Sequence, residues 1–152
     1  MKKIMVLLSV LALTIGNGCK DEKKEGSGPS QMEKVMAVHD ELMPKMGTIS
    51  KLVAELNTKT DSTETGMAYE KAKKDLQVAH QDMMDWMKDI GDRFDYEEIM
   101  KGKELSEEKE KWLQEEELKI EDLKRKINSS IEKAEALLRA QRSVPPSQEL
   151  EN

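Results

Sequence analysis

The chain holds only two histidines, and they sit in segments that echo each other. His39-Asp40-Glu41-Leu42-Met43-Pro44-Lys45-Met46 parallels His80-Gln81-Asp82-Met83-Met84-Asp85-Trp86-Met87. In both, an acid follows the histidine by two positions, methionines follow by four and seven, and Ile49 or Ile90 follows by ten. A constant internal spacing of this kind fits an old helix duplication. Folding the two segments back on each other about the middle of 57–62 sets His39 and His80 at one height on antiparallel helices. Met36, Met43, Met83 and Met84 then lie within about one turn, roughly 5.4 Å along the axis. Glu116, a polar break in a later apolar seam, lands near the same level. Imidazole with thioether suits Cu(I), and imidazole with carboxylate suits Zn(II), Ni(II) or Cu(II). Plain packing is the competing account. Methionine fills helical cores because it is flexible, and a buried histidine beside a glutamate satisfies two polar groups.

The elements that must position these residues are helices. Charged residues make up 37% of the chain and aromatics 3%, while Glu, Lys, Leu, Met and Ala abound and glycine and proline are sparse. These are helix-forming residues, and the expected class is all-α. Ser30 with Glu33 forms a capping box that opens a first helix. Met32, Val35, His39, Leu42, Met46, Ile49, Val53 and Leu56 then alternate by three and four, which draws one seam along a helix. Pro44 removes a backbone hydrogen bond and is expected to bend this helix without breaking its phase. Asn57 to Thr63 suits a turn. A second helix carries Tyr69, Ala72, Leu76, Ala79, Met83, Trp86 and Ile90 and is expected to stop at Gly91.

The connection from Asp92 to Leu105 is long for packed helices. It holds Phe94, Tyr96, Ile99 and Met100, and reads as a cap over one end or as a partner-binding patch. A third helix starts at Ser106 and runs to Ala140, with Leu113, Ile120, Leu123, Ile127, Ala134 and Leu137 on its seam and Glu116 and Ser130 as polar interruptions. Three such seams predict an antiparallel three-helix bundle with long coiled-coil-like helices over residues 30–140. A coiled coil between chains competes with that arrangement because the third helix is so charged.

The N-terminus has a different character. Lys2 and Lys3 precede an apolar run from Ile4 to Ile15, and Gly16-Asn17-Gly18 leads to Cys19, the single cysteine. That run is too short to span a bilayer and has the order of an export leader covering residues 1–18. The segment resembles a bacterial lipoprotein signal, which implies that Cys19 becomes the first mature residue and is lipidated. Gly16 departs from the pattern, since a branched apolar residue usually stands three before the cysteine. Cys19-Lys20-Asp21-Glu22 is similar to the surface-export signal of Bacteroidota lipoproteins. Residues 19–29 read as a flexible tether whose Lys20 to Pro29 stretch reaches roughly 35 Å when extended. Residues 141–152, with Pro145-Pro146, read as a disordered tail.

The mature helical part as a whole, and Met36 to Met43 and His80 to Met84 in particular, resembles short flavobacterial lipoproteins that often carry the label "viral A-type inclusion protein". That resemblance implies a helical fold and a place in the cell envelope, and supplies no reaction.

Charge narrows the partners further. The formal net charge is −6, and loss of Lys2 and Lys3 with the leader takes it to −8. An acidic body repels phosphate backbones, so no nucleic acid is expected. It also repels anionic headgroups, so the tie to a membrane is expected through lipid on Cys19. With one cysteine no intrachain disulfide can form. The sequence lacks a His-Glu-x-x-His, a glycine-rich phosphate loop and a Cys-x-x-Cys-His. Two histidines leave little room for a hydrolytic triad, with Ser50 and Ser62 as its only suggested serines.

The expected protein is therefore a non-catalytic binding or scaffolding module with no cofactor. It would be lipid-anchored in the envelope, on the outer membrane and with surface exposure allowed, and would meet an unidentified envelope protein. The alternative is a copper-like metal-handling protein that uses His39, His80, the four methionines and Glu116.

Overall fold

The computed structural model describes residues 30–143. The leader, Cys19, the tether and the tail from Val144 onward lie outside the described residues. Those residues are all-helical, 87% in helix with no strand, in four helices. These are α1 (Gln31–Asn57), α2 (Glu64–Arg93), α3 (Tyr96–Met100) and α4 (Glu107–Ser143). Among the described residues no helix is long and apolar enough to cross a membrane.

Local chemistry fixes the helix starts. The Ser30 hydroxyl accepts from the Glu33 N–H at 3.2 Å, and the Glu33 carboxylate accepts from the Ser30 N–H at 2.6 Å. This is the reciprocal cap expected from the sequence. Pro44 lies inside α1, which continues without interruption to Asn57. Its exposed position leaves the carbonyl it deprives of a donor on the solvent side. At the start of α2, Asp61 Oδ1 accepts from the Thr63 N–H at 2.8 Å, and the Thr63 hydroxyl accepts from the Gly66 N–H at 3.0 Å. Gly66 is required there, because a Cβ on it would stand 1.9 Å from Asp61 Oδ1.

α1, α2 and α4 each pack on the other two, and α3 packs on α1. Cross-links give the order along each pair. From α1 to α4, Gln31 meets Glu117, Glu41 meets Lys124 and Lys45 meets Asn128, each at 2.6 Å. From α2 to α4, Asp82 meets Lys126, Trp86 meets Glu116 and Arg93 meets Glu115, so one numbering rises as the other falls. From α1 to α2, His39 meets Trp86 and Asn57 meets Lys73.

All seven residues expected on the α2 seam are buried. The other seams need three corrections. His39 is only partly covered, Leu52 takes the buried place expected for Val53, and Leu138 takes that expected for Leu137. A three-four alternation does not say which step is three and which is four, and here the packing of neighbouring helices chose. Two helix ends also differ. Gly91 does not stop α2, which runs to Arg93, and α4 extends to Ser143, past the expected start of the tail. One glycine in a last turn costs about 1 kcal/mol, too little to end a helix whose next turn still packs.

The choice of step on α4 has a measurable consequence. Leu138→Ala should cost about 2–5 kcal/mol in urea unfolding, as expected for a fully buried leucine. Leu137→Ala, at a half-buried position, should cost about 1 kcal/mol.

Candidate functional site

Trp86 joins all three long helices. It lies on the α2 seam and is 4% exposed. Its indole stacks on the His39 ring of α1 at 5.9 Å between centroids and 29° between planes. Its Nε1–H donates to the Glu116 carbonyl oxygen of α4 at 3.4 Å. One aromatic ring thus touches both other long helices.

Glu116 follows from its place on the α4 seam, which sends the carboxylate inward. It is 0% exposed. Oε1 accepts from Lys119 at 2.9 Å and pairs with Arg93 at 3.2 Å. Oε2 is buried with no hydrogen-bond partner. Arg93 also donates to Glu115 at 2.8 Å and stands 5.6 Å over the Trp112 ring. The Glu115 bond first, and then the two acids' charges, hold the guanidinium more firmly protonated than usual, against the cost of its partial burial.

The two histidines do not share a level. His39 Nδ1 lies 2.9 Å from the exposed Asp40 carboxylate and the ring covers Trp86. His80 lines a separate groove of about 280 Å³ with Ile49, Ser50, Val53 and Gln77. Trp86, the α2 residue opposite His39, stands six residues beyond His80. That offset is roughly 9 Å along the axis at 1.5 Å per residue. The expected fold-back about 57–62 is therefore corrected. The Asp61–Thr63–Gly66 turn moves the point of reversal toward Thr63, and every opposed pair shifts with it.

The methionines divide as well. Met83 is fully buried, while Met36, Met43 and Met84 are half-buried against the core. Glu116 bonds to Arg93 and Lys119, not to an imidazole. Among the described residues no group of three or more His, Cys, Asp or Glu is placed to hold a metal ion. Ser50 shares the His80 groove, but its hydroxyl donates to the Met46 carbonyl at 3.0 Å.

Two further grooves lie between α2 and α4. One, of about 250 Å³, sets Asp82, Asp85, Asp89 and Asp122 beside Lys119 and Lys126. The other, of about 550 Å³, is apolar and is lined chiefly by Ala68, Ala72, Ala136 and Leu137.

The connection between α2 and α4 holds chemistry that sequence reasoning missed. Asp95 caps α3 by accepting from the Glu97 and Glu98 N–H groups at 2.9 and 3.0 Å. Glu98 returns the bond to the Asp95 N–H at 2.8 Å and takes Lys109 of α4 at 2.5 Å. Glu98 is 6% exposed, and Phe94 beside it joins the core. Gly102, at φ 67°, makes the turn out of α3. Asp95 and Glu98 are spaced as an acidic capping box, the signal that finds this helix. The Lys109 bond first, and then the Asp95 N–H, hold the Glu98 carboxyl below its ordinary range. The Glu98 N–H and then Lys103 do the same for Asp95.

No protein-family model, curated protein or solved structure matches this chain.

Glu116 and Glu98 should respond differently to substitution. Glu116→Met keeps volume and removes the orphaned oxygen. Arg93 keeps Glu115 and Lys119 reaches solvent, so neither cation is left buried and unpaired, and stability in urea unfolding should change by less than about 1 kcal/mol.

For the α3 cap the sign of the pH effect follows from two lowered carboxyl pKa values. Their stabilisation is complete above the ordinary values of 4.5 for Glu and 3.8 for Asp, and is lost as pH falls through the lower folded values. Amide exchange across 97–103, corrected for intrinsic rate, should therefore rise several-fold on acidification below those values while the middle of α2 stays protected. Glu98→Gln should raise it already at neutral pH.

Proposed function

We propose that this chain is a lipid-anchored envelope protein whose helical body, an antiparallel three-helix bundle, serves as a non-catalytic binding or scaffolding module. The observation that carries the anchor is the arrangement at the N-terminus: a basic start, an apolar run too short to span a bilayer, and one cysteine ahead of a charged, Gly-Ser-Pro tether. The order of the cross-links supports an up-down-up bundle. α4 partners rise with α1 residues and fall with α2 residues.

The division of labour supports the module. Covalent lipid supplies membrane affinity of about 0.8 kcal/mol per buried methylene, and several acyl chains hold far better than one. The acidic helical surface is then free to meet another envelope protein. Its grooves are open, and apart from the orphaned Glu116 Oε2 the polar groups around Trp86 are engaged with one another. We leave a metal ion out of the proposal because the imidazoles that would anchor it stand at different levels.

Mass spectrometry of the protein from membranes should find the mature chain starting at Cys19 with acyl chains attached. Cys19→Ser should leave the leader uncleaved or release the protein from the membrane fraction. An unacylated Cys19 in membrane-bound protein would overturn the anchor.

A further inference from the structure

Resting on the anchor just proposed, we infer that the exposed face of α3 lies against the zwitterionic headgroup layer of the bilayer that carries Cys19. Tyr96 is 67% exposed and Met100 62%. Four residues apart on one helix, they share a face. Lys101 Nζ stands 5.6 Å over the Tyr96 ring. An aromatic ring with a polar tip, a thioether and a lysine stem are groups that settle at a membrane interface.

Where the tether begins decides which end of the molecule meets the membrane. α3 packs on α1, and a cleft of about 430 Å³ joins Ser30 and Met32 to Glu98, Gly102 and Leu113. α3 therefore sits at the end from which the chain runs back to Cys19. From Cys19 to Ser30 the chain spans at most about 40 Å. α2 and α4, with 30 and 37 residues, are longer. At 1.5 Å per residue they run roughly 45 and 55 Å. The α3 end stays within reach of the membrane in every orientation of the body. A linkage this short gives an effective concentration on the order of millimolar, so a weak contact suffices.

Charge selects the surface. Each acid of the cap is matched: Asp95 by Lys103 at 3.2 Å, Glu97 by Lys101 at 3.5 Å, Glu98 by Lys109 at 2.5 Å. A face whose charges are paired among themselves has no call on an anionic lipid and is not repelled by a zwitterionic one.

The test uses the acylated full-length chain in phosphatidylethanolamine–phosphatidylcholine vesicles. Lipid occupies the native cysteine, so Met100→Cys and, separately, Met67→Cys at the start of α2 each provide a single site for an environment-sensitive fluorophore. A quencher carried on lipid near the headgroups should reduce emission at 100 several-fold more than at 67, and Tyr96→Ser should weaken that difference. Equal quenching at both sites, with the protein still floating with the vesicles, overturns the α3 contact and leaves the anchor standing. A probe at 100 shielded from an aqueous quencher yet untouched by the lipid-borne one means a protein contact, and also overturns it. Acylated protein that fails to float with the vesicles removes the anchor and this contact together.

Discussion

A single indole ties the long helices to one another. Trp86 is buried on α2, covers His39 on α1 and donates to the Glu116 carbonyl on α4. A stacked aromatic pair adds about 0.5–1.5 kcal/mol beyond burial. The larger effect is geometric. Leucine and isoleucine on the seams accept many neighbours equally well, whereas an indole with a directed N–H accepts few. The level at which Trp86 sits sets which α1 residue faces which α2 residue. It thereby separates the two imidazoles, stacking on one and leaving the other in a groove six residues away along α2. Together with the Asp61–Thr63–Gly66 turn, this contact distributes the residues that suggested chemistry.

The surface acts by number more than by strength. Pairs such as Lys71–Asp75, Lys88–Asp92 and Arg139–Glu135 run along single helices at four-residue spacing. Exposed pairs of this kind contribute little each, because water and salt screen them. They favour helix over coil without saying which helices meet. Glu41 bridges to Lys124 as well as to Lys45, and the Lys124 bond first lowers its carboxyl below the ordinary range. Such interhelical pairs report the alignment that the buried side chains impose.

Periodicity made much of this legible. Seven of seven expected α2 seam residues are buried, and the Ser30–Glu33 cap forms as its spacing requires. Both signals are local: a 3.6-residue repeat and a three-residue reciprocal bond need no partner to be read. What failed to show was longer in range. Whether Leu52 or Val53, Leu137 or Leu138 turns inward depends on where neighbouring helices lie. The level of His39 against α2 depends on how many residues the turn consumes, and Asp61, Thr63 and Gly66 set that through hydrogen bonds invisible to a hydrophobic pattern. The Asp95–Glu98 box was available in the sequence. Its ion pair with Lys109 was not, since eleven residues and a turn at Gly102 separate the partners.

The buried carboxylate of Glu116 shows why such a polar break persists in an apolar seam. Sliding α4 by seven residues against α2 would again set apolar residues against apolar residues, so burial alone discriminates weakly between registers. It would also carry Glu116 away from Arg93 and leave the buried carboxylate with Lys119 of its own helix alone, a poorly compensated buried charge. In the observed register Oε1 is held by two cations while Oε2 has none. The orphaned oxygen weakens the native register, and the loss of Arg93 penalises the slipped one further. Arg93 lies at the end of α2 and so leads straight into Phe94 and the α3 cap. The constraint on register and the segment that packs α3 on α1 are one continuous stretch of chain.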